Sequence, residues 1–144
     1  MPSVKDIMTK NVVSIGVDNS VLEAAEIMSS NQLGCLVIIN RELPIGIVTE
    51  RDIVRRVVAK KLPLDTKISA IMSQSLITVD ADASLKEAAR LMSSNKIRRL
   101  PVLKQNKLVG IVVASDFVRN LGKKSVSEEI LEAMGRYPSV SSPI

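Results

Sequence analysis

Residues 18–25 of this chain read DNSVLEAA, and residues 82–89 read DASLKEAA. The same offset, 82 − 18 = 64, relates the segment GIV at residues 46–48 to an identical segment at residues 110–112. A repeat of about 60 residues does not easily bury enough apolar surface to fold alone. The sequence therefore predicts two homologous units that pack face to face, and the seam between them is a natural place for a ligand.

The bulk composition is that of a globular protein. Of the 144 residues, 46% are hydrophobic and 24% are charged, which are ordinary values. No apolar run approaches the roughly 18–20 residues that span a membrane, and the opening residues MPSVKD lack the apolar core of a signal peptide. We therefore expect a cytoplasmic protein that does not associate with a membrane.

The absence of some residue types excludes several kinds of chemistry. The chain has no His and one Cys, so it has no imidazole base, no histidine metal ligand and no internal disulfide. No convergent set of base, nucleophile and oxyanion donors is visible, so we expect neither a catalytic nor a metal site. Cys35 lies in an apolar run, which favours a buried structural thiol over a reactive one.

The formal charge of +5 favours anionic partners without identifying one. Nucleic-acid binding is therefore an alternative function. It is disfavoured because Phe117 and Tyr137 are the two aromatic residues, and base-stacking platforms need more.

Each repeat predicts the element order β-α-β-β-α, a mixed α/β (α+β) fold. Runs of β-branched residues predict strands. Ser20 with Glu23, and Ser84 with Glu87, predict capping boxes at helix starts, and we expect Asn31 and Asn95 to end these helices. Strands are predicted at residues 12–15, 36–39, 45–48, 76–79, 100–103 and 108–112, and a second helix of each repeat at residues 51–60 and 116–121.

The chain divides at Pro63, which breaks a helical pattern. We place repeat 1 at residues 1–61, a linker at residues 62–67, and repeat 2 at residues 68–124. A C-terminal tail follows at residues 125–144, with a short amphipathic helix over residues 128–134.

Three motifs occur in order in both repeats: IMT at residues 7–9 with its copy IMS at residues 71–73, Ser-x-x-Glu-Ala-Ala at residues 20–25 and 84–89, and GIVTERD at residues 46–52 with its copy GIVVASD at residues 110–116. The second repeat adds LPV at residues 100–102. This pattern resembles the CBS domain, named after cystathionine β-synthase, and the chain resembles a tandem CBS pair, or Bateman module. The resemblance implies two repeats packed as a pseudo-two-fold pair, usually as a homodimer of such pairs. It also implies an adenosine nucleotide (AMP, ADP or ATP) in a cleft between the repeats, and regulation of a separate effector protein without catalysis.

The segment GIVTERD matches the family motif Gly-x-x-Thr/Ser-x-x-Asp. The match implies that Asp52 accepts hydrogen bonds from the two ribose hydroxyls and that Thr49 adds a third bond. By spacing alone, Thr49 and Asp52 also form a capping box. Both roles are compatible, because Thr49 can cap the helix while Asp52 faces the cleft.

Arg98 and Arg99 are the clearest difference between the repeats, since Gly34 and Cys35 stand at the matching positions. The resemblance implies that such residues contact the ligand phosphate from the repeat opposite the ribose aspartate, and a guanidinium grips phosphate oxygens in pairs. The alternative is a solvated basic pair. We expect the adenine to lie against Ser73, Ile77, Thr78 and Val79.

The mirror-image cleft departs from the motif, because Val113 replaces the threonine and no arginine stands at the phosphate position. We therefore predict one strong site and one weak or empty site. The residues of the weaker site are Thr9, Val13, Ser14, Gly34, Cys35 and Asp116.

The second helix of repeat 1 has two faces. Its basic set, in which we also count Lys61 after the helix, is Arg51, Arg55, Arg56, Lys60 and Lys61, and is interpreted as a solvated face. Its apolar stripe is Val54, Val57 and Val58, which the resemblance places near a dimer interface. We predict a nucleotide-sensing regulatory module; the alternatives are a structural dimerisation module with vestigial clefts and a nucleic-acid-binding protein.

Overall fold

The computed structural model describes residues 2–72 and 76–120, together with Ile130, Ala133 and Met134 of the tail. In chain order the elements are α1 (Val4–Ile7), β1 (Ser14–Gly16), α2 (Val21–Asn31), β2 (Cys35–Asn40), β3 (Leu43–Thr49), α3 (Glu50–Asp52) continued by a π-helix (Ile53–Val58), a 3-10 helix (Ile68–Ala70), β4 (Val79–Asp80), α4 (Leu85–Asn95), β5 (Arg99–Lys104), β6 (Lys107–Val113) and α5 (Ala114–Arg119). This order confirms the predicted mixed α+β class. No helix of the described residues is long and apolar enough to cross a membrane.

The chain forms two compact units. Unit I comprises the described residues of the range Val12–Leu76 together with Asn106–Leu108, and unit II comprises residues 2–11, Ile77–Gln105 and the described residues from Val109 onward. Strands β1, β2 and β3 form one three-stranded sheet in that order, and β4, β5 and β6 form another. In each sheet the first two strands are parallel, because the intervening helix returns the chain to the same end of the sheet.

The long helices begin where their caps predict. The Ser20 hydroxyl accepts the amide of Glu23 at 3.1 Å, and the Glu23 carboxylate accepts the amide of Ser20 at 2.8 Å. This confirms the first capping box. At the second helix Ser84 accepts the Glu87 amide at 3.0 Å, but the Glu87 carboxylate lies 3.8 Å from the Arg90 guanidinium. That half of the second predicted box is therefore corrected to an ion pair within the helix.

The helix ends also follow the sequence. Helices α2 and α4 end at Asn31 and Asn95, whose side-chain amides donate to the carbonyl oxygens four residues earlier at 2.9 Å. The next residues, Gln32 and Lys96, have φ of 55° and 54°. A left-handed residue at this position terminates a helix.

The strand that opens each repeat is shorter than predicted. Pairing of β1 with β2 starts at Ser14, and pairing of β4 with β5 starts at Val79. Residues 12–13 and 76–78 lie before these strands. Valine and isoleucine favour extended backbone wherever they occur, so propensity alone does not locate the residues that have a neighbouring strand to pair with.

The second helix of repeat 1 is a π-helix over most of its length. The amide of Ala59 donates to the carbonyl oxygen of Val54 at 2.9 Å, five residues back. The predicted helix over residues 51–60 therefore has a wider turn than an α-helix. Its counterpart α5 is an ordinary α-helix over Ala114–Arg119 with Asn120 as its C-cap. The predicted range 116–121 is therefore corrected: the helix begins two residues earlier, directly after β6, and ends at Arg119.

Each unit has its own apolar core. The buried side chains of unit I are Ile15, Val21, Ala24, Met28, Leu36, Ile38, Val48, Val57, Ile68 and Ile71. Those of unit II are Val4, Ile7, Val79, Ala81, Leu85, Ala88, Ala89, Met92, Leu100, Val102, Val112, Phe117 and Ile130.

The segment that precedes the first strand of repeat 1, residues 4–8, is here called the opening segment of the chain. It packs into unit II, which contains the sheet of the second repeat. Val4 is fully buried in the core of unit II, and its amide donates to the carbonyl oxygen of Ala83 at 2.9 Å. The Asp82 carboxylate accepts Lys104 at 2.5 Å and Lys5 at 2.7 Å. These two hydrogen bonds lower the pKa of Asp82 to about 2.

The opening segment of repeat 2, residues 68–72, makes the equivalent contacts in unit I. Ile68 is buried in the core of unit I, and its amide donates to the carbonyl oxygen of Asn19 at 2.8 Å. The offset of 64 relates this bond to that between Val4 and Ala83, since 68 − 4 = 64 and 83 − 19 = 64. The compact units therefore divide the chain differently from the sequence repeats, each taking the opening segment of the other repeat.

Part of the predicted tail helix over residues 128–134 is described. Ile130, Ala133 and Met134 are helical, Ile130 is buried, and all three pack against the core of unit II. Their i, i+3, i+4 spacing places them on one helix face. The remaining residues of this predicted helix lie outside the described residues.

Candidate functional site

Thr49 and Asp52 meet where strand β3 becomes helix α3. The Asp52 oxygen Oδ2 accepts the Thr49 amide at 2.9 Å and the Thr49 hydroxyl at 3.1 Å. The Thr49 hydroxyl accepts the Asp52 amide at 3.2 Å. The capping box that the spacing predicted is therefore present, and it uses one oxygen of the carboxylate.

The second oxygen of Asp52 is not part of the cap. It lies 3.8 Å from Nε of Arg56, an ion pair longer than a hydrogen bond, and the Asp52 side chain is 22% exposed. A carboxylate on a side chain with this exposure is able to accept a hydrogen bond from a ligand hydroxyl group.

Arg56 has a more specific role than the solvated face that its sequence context suggested. Its Nη1 donates to the carbonyl oxygen of Ile71 at 2.8 Å. Arg56 therefore links the end of the 3-10 helix to the Asp52 carboxylate. The spacing of four residues from Asp52 was the available sequence signal.

Gly34 and Cys35 lie next to Thr49 in unit I. The amide of Glu50 donates to the carbonyl oxygen of Gly34 at 3.0 Å, and Cys35 faces Thr49 across the ladder between β2 and β3. Cys35 is half-buried, so the expected fully buried thiol is corrected. Its place at the first residue of β2, where the sheet ends, leaves it less covered than the residues that follow.

Val13 and Ser14 complete the predicted site residues of unit I. Val13 packs against the core of this unit, and Ser14 pairs with Val37 in the sheet.

In unit II, Asp116 stands at the motif position of Asp52, but its side chain has a different environment. The Asp116 side chain is 1% exposed. Its Oδ2 accepts the Val113 amide at 2.7 Å, and its Oδ1 is paired with the Arg119 guanidinium. Val113 has no hydroxyl to cap the helix or to bind a ligand.

The predicted phosphate residues, and the described ones among the predicted adenine residues, also lie in unit II. Arg98 is exposed, Arg99 is half-buried at the start of β5, and the carbonyl oxygen of Arg98 accepts the Ala114 amide at 2.9 Å. Val79 pairs with Val102 in the sheet, and Ile77 and Thr78 precede it as half-buried residues.

The structure therefore groups the predicted residues by unit. Thr49 and Asp52 lie together in unit I, and Arg98, Arg99 and residues 77–79 lie in unit II. Thr9, of the weaker site, is exposed and pairs with Ile111 in unit II. Ser73 lies outside the described residues.

A metal centre is not formed by the described part of the chain, where no group of three His, Cys, Asp or Glu residues is placed to hold an ion.

The repeat, the element order and the two Thr/Val-x-x-Asp turns define a class of protein. A family model for the CBS domain matches residues 4–59 and again residues 68–123, so the chain belongs to the CBS-domain family and carries a tandem pair of these domains. It is 37% identical over 120 residues to the CBS domain-containing protein YhcV of Bacillus subtilis, covering 83% of this chain and 86% of that protein.

Two solved structures with bound ligands have the same fold. The CBS domain protein PAE2072 from Pyrobaculum aerophilum, complexed with AMP, matches with a TM-score of 0.79 and 27% identity over 91% of this chain and 99% of that one. The CBS domain pair of protein MJ0100, in complex with 5′-methylthioadenosine and S-adenosyl-L-methionine, matches with a TM-score of 0.77 and 30% identity over 86% of this chain and 98% of that one. These matches confirm the resemblance seen in the motifs.

Proposed function

We propose that this chain is a regulatory module that binds AMP, ADP or ATP between its two CBS repeats and modulates a separate effector protein. The observation that carries the proposal is the carboxylate of Asp52, which satisfies its helix cap with one oxygen and leaves the other outside the cap, on a side chain that is 22% exposed. The AMP complex of a relative with the same fold supports an adenine nucleotide as the ligand.

The ribose is the part of the ligand that this carboxylate recognises. A ribose offers two neighbouring hydroxyl donors, and hydrogen bonds to a charged acceptor contribute about 1.5–3 kcal/mol each. Thr49 holds the carboxylate in place through two donors, its amide and its hydroxyl. Because the side chain is already oriented by the cap, little rotamer freedom is lost when the ligand binds.

The phosphate is assigned to residues of unit II, and the base to residues 77–79 of that unit together with Ser73. Arg98 and Arg99 bind the phosphate, because a planar guanidinium pairs two N–H groups with two phosphate oxygens. Ser73, Ile77, Thr78 and Val79 contact the adenine. The mirror-image site, formed by Thr9, Val13, Ser14, Gly34, Cys35 and Asp116, is weak or empty.

Regulation follows from differential affinity. A nucleotide that binds one arrangement of the repeats more tightly than another shifts the population toward it. A cytoplasmic homodimer that presents these arrangements to an effector protein, without catalysis of its own, is the assembly we propose.

Titration calorimetry of nucleotide-free protein against AMP, ADP, ATP, NAD and S-adenosylmethionine tests the proposal. The decisive variant is Asp52→Asn, since its amide oxygen still caps the helix while its NH₂ group replaces the oxygen that accepts ribose. We expect the affinity for the nucleotide that binds to fall at least about a hundredfold, below detection in the titration, because both ribose hydroxyls lose a charged acceptor that contributes about 1.5–3 kcal/mol to each bond. The matched control is Glu50→Gln, an exposed carboxylate in the same turn. Equal affinities for the Asp52→Asn protein and the parent would refute the assignment.

A structural dimerisation module is the second candidate. Val54 and Val58 are 60% and 65% exposed on the same helix, and such apolar side chains are suited to an interface between copies. No binding across the nucleotide panel, together with a dimer in light scattering that Val54→Asp and Val58→Asp dissociate, would favour this function.

A further inference from the structure

We infer that Arg119 closes the ribose position of the second repeat by pairing with Asp116, so that each chain binds one nucleotide. The inference rests on the proposed function, because it concerns the counterpart of the Asp52 position. Arg119 would then set the number of nucleotides bound per chain, a role that neither the sequence motif nor its spacing indicates.

Both oxygens of Asp116 are used within unit II. Oδ2 accepts the Val113 amide at 2.7 Å, and Oδ1 is paired with the guanidinium of Arg119. The carboxylate is almost fully buried, whereas the Arg119 side chain that covers it is mostly exposed. A ribose hydroxyl would have to replace a charged donor with a neutral one, which is unfavourable.

The first repeat avoids this closure because its helix differs. Arg55 is the equivalent of Arg119, since 119 − 64 = 55, and within the described residues it makes no ion pair with Asp52. In this π-helix Arg56, four residues after Asp52, is the arginine that lies near the carboxylate. Arg56 remains 3.8 Å from the carboxylate because its own Nη1 is held by the carbonyl oxygen of Ile71.

In α5, Arg119 lies three residues after Asp116. In an α-helix, residues three apart lie on the same face and are neighbours. In the ordinary α-helix the Asp116 carboxylate is therefore occupied by an arginine, whereas beside the π-helix the Asp52 carboxylate remains available to a ligand. Val113 adds to the difference by removing the hydroxyl that Thr49 provides in the first repeat.

AMP stoichiometry, measured by titration calorimetry on nucleotide-free chains, tests this inference. We expect one AMP per chain for the parent and none for Asp52→Asn. Arg119→Gln combined with Val113→Thr opens the second position, so we expect two AMP per chain. The same two substitutions in the Asp52→Asn background isolate that position, and we expect one. Arg55→Gln is the matched control and stays at one.

A second variant guards against misfolding, because Gln leaves a buried carboxylate without a cation. Arg119→Lys keeps a positive charge but loses the planar fork, and with Val113→Thr we expect a second, weaker AMP site. Circular dichroism and the unfolding midpoint verify that each variant is folded.

Several outcomes overturn the inference. One AMP per chain in both folded Arg119 variants would show that the arginine does not control the site. One AMP retained by Asp52→Asn alone would show that the Asp116 position is already open.

The outcomes also separate the two proposals. The parent could bind no AMP while the variant with Asp52→Asn, Val113→Thr and Arg119→Gln binds one. That result would refute the proposed role of Asp52 and support the inference that Arg119 blocks the Asp116 position. Absence of AMP binding in every protein would refute both.

Discussion

The amide of Val4 donates a hydrogen bond to the carbonyl oxygen of Ala83 at 2.9 Å, although the two residues belong to different sequence repeats. This bond places the opening segment of the chain against the turn between β4 and α4 in unit II. The core of unit II therefore depends on residues from both ends of the described chain.

Val4→Ala tests this dependence. Val4 is fully buried in the unit II core, and removing buried methyl groups there costs about 1–3 kcal/mol of the free energy of unfolding. We expect native-state hydrogen exchange to report lower protection at Leu100 and Val102 of unit II. Val118→Ala, at a position that is 62% exposed, should change stability by less than about 0.5 kcal/mol. Loss of protection confined to unit I would contradict the packing.

Gly110→Ala should destabilise the same region. A Cβ atom at Gly110 would lie 2.4 Å from Sδ of Met8 and 2.8 Å from the carbonyl oxygen of Thr9. The sulfur is able to move but the backbone oxygen is not, because Thr9 and Ile111 exchange two hydrogen bonds there. We expect a loss of about 1–3 kcal/mol in urea unfolding.

Gly16→Ala is the control for Gly110. A Cβ there would approach a side-chain atom, Oδ1 of Asn19, at 3.0 Å, and a side chain adjusts more easily than backbone. We expect a smaller loss. Equal stability of Gly110→Ala and the parent would show that the opening segment is not held against β6.

The ion pairs of Asp82 predict a dependence of stability on acid. Hydrogen bonds from Lys104 and then Lys5 lower the pKa of Asp82 from 3.8 to about 2. The ionised carboxylate therefore contributes stability that is fully present above about pH 4 and is lost as the pH falls toward 2. The difference in unfolding free energy between the parent and Asp82→Asn should be constant from pH 5 to 7, by this same linkage, and shrink between about pH 4 and 2.

Asp18→Asn is the control for Asp82, because Asp18 is the equivalent residue of repeat 1. Its side chain is 84% exposed, and Lys67 lies 3.6 Å away. Such an exposed pair contributes little, so we expect a small difference from the parent at every pH. If the difference in unfolding free energy between the parent and Asp82→Asn does not change with pH, the ion pairs with the two lysines are not its cause.

Ser20→Ala should weaken helix α2 through its cap. The hydroxyl of Ser20 accepts the Glu23 amide at 3.1 Å, and loss of a serine cap costs about 1 kcal/mol. Urea unfolding measures the loss. Ser29→Ala, an exposed substitution inside the same helix, should be neutral or slightly stabilising, since alanine favours helices; equal losses for the two variants would exclude a capping effect.

Local features were predictable because they depend on neighbours in the chain. Ser20 with Glu23 set the start of α2, Asn31 set its end, and the Thr49–Asp52 spacing predicted the cap that the structure contains. The π-helix was not predictable, because residues 53–58 have a pattern that also suits an α-helix. The pairing of Asp116 with Arg119 was missed for a related reason: the equivalent aspartate and arginine of repeat 1 have the same spacing and do not pair.

The sequence by itself determined that this chain consists of two CBS repeats, the order of their elements and where the main helices begin and end, because periodicity and capping act over a few residues. Tertiary structure alone decided which of the two cores each opening segment joins. The segments IMT at residues 7–9 and IMS at residues 71–73 are nearly identical, so either has the side chains to fill either core. Their exchange between the units is set by non-local packing, in which Val4 meets Ala83 and Ile68 meets Asn19.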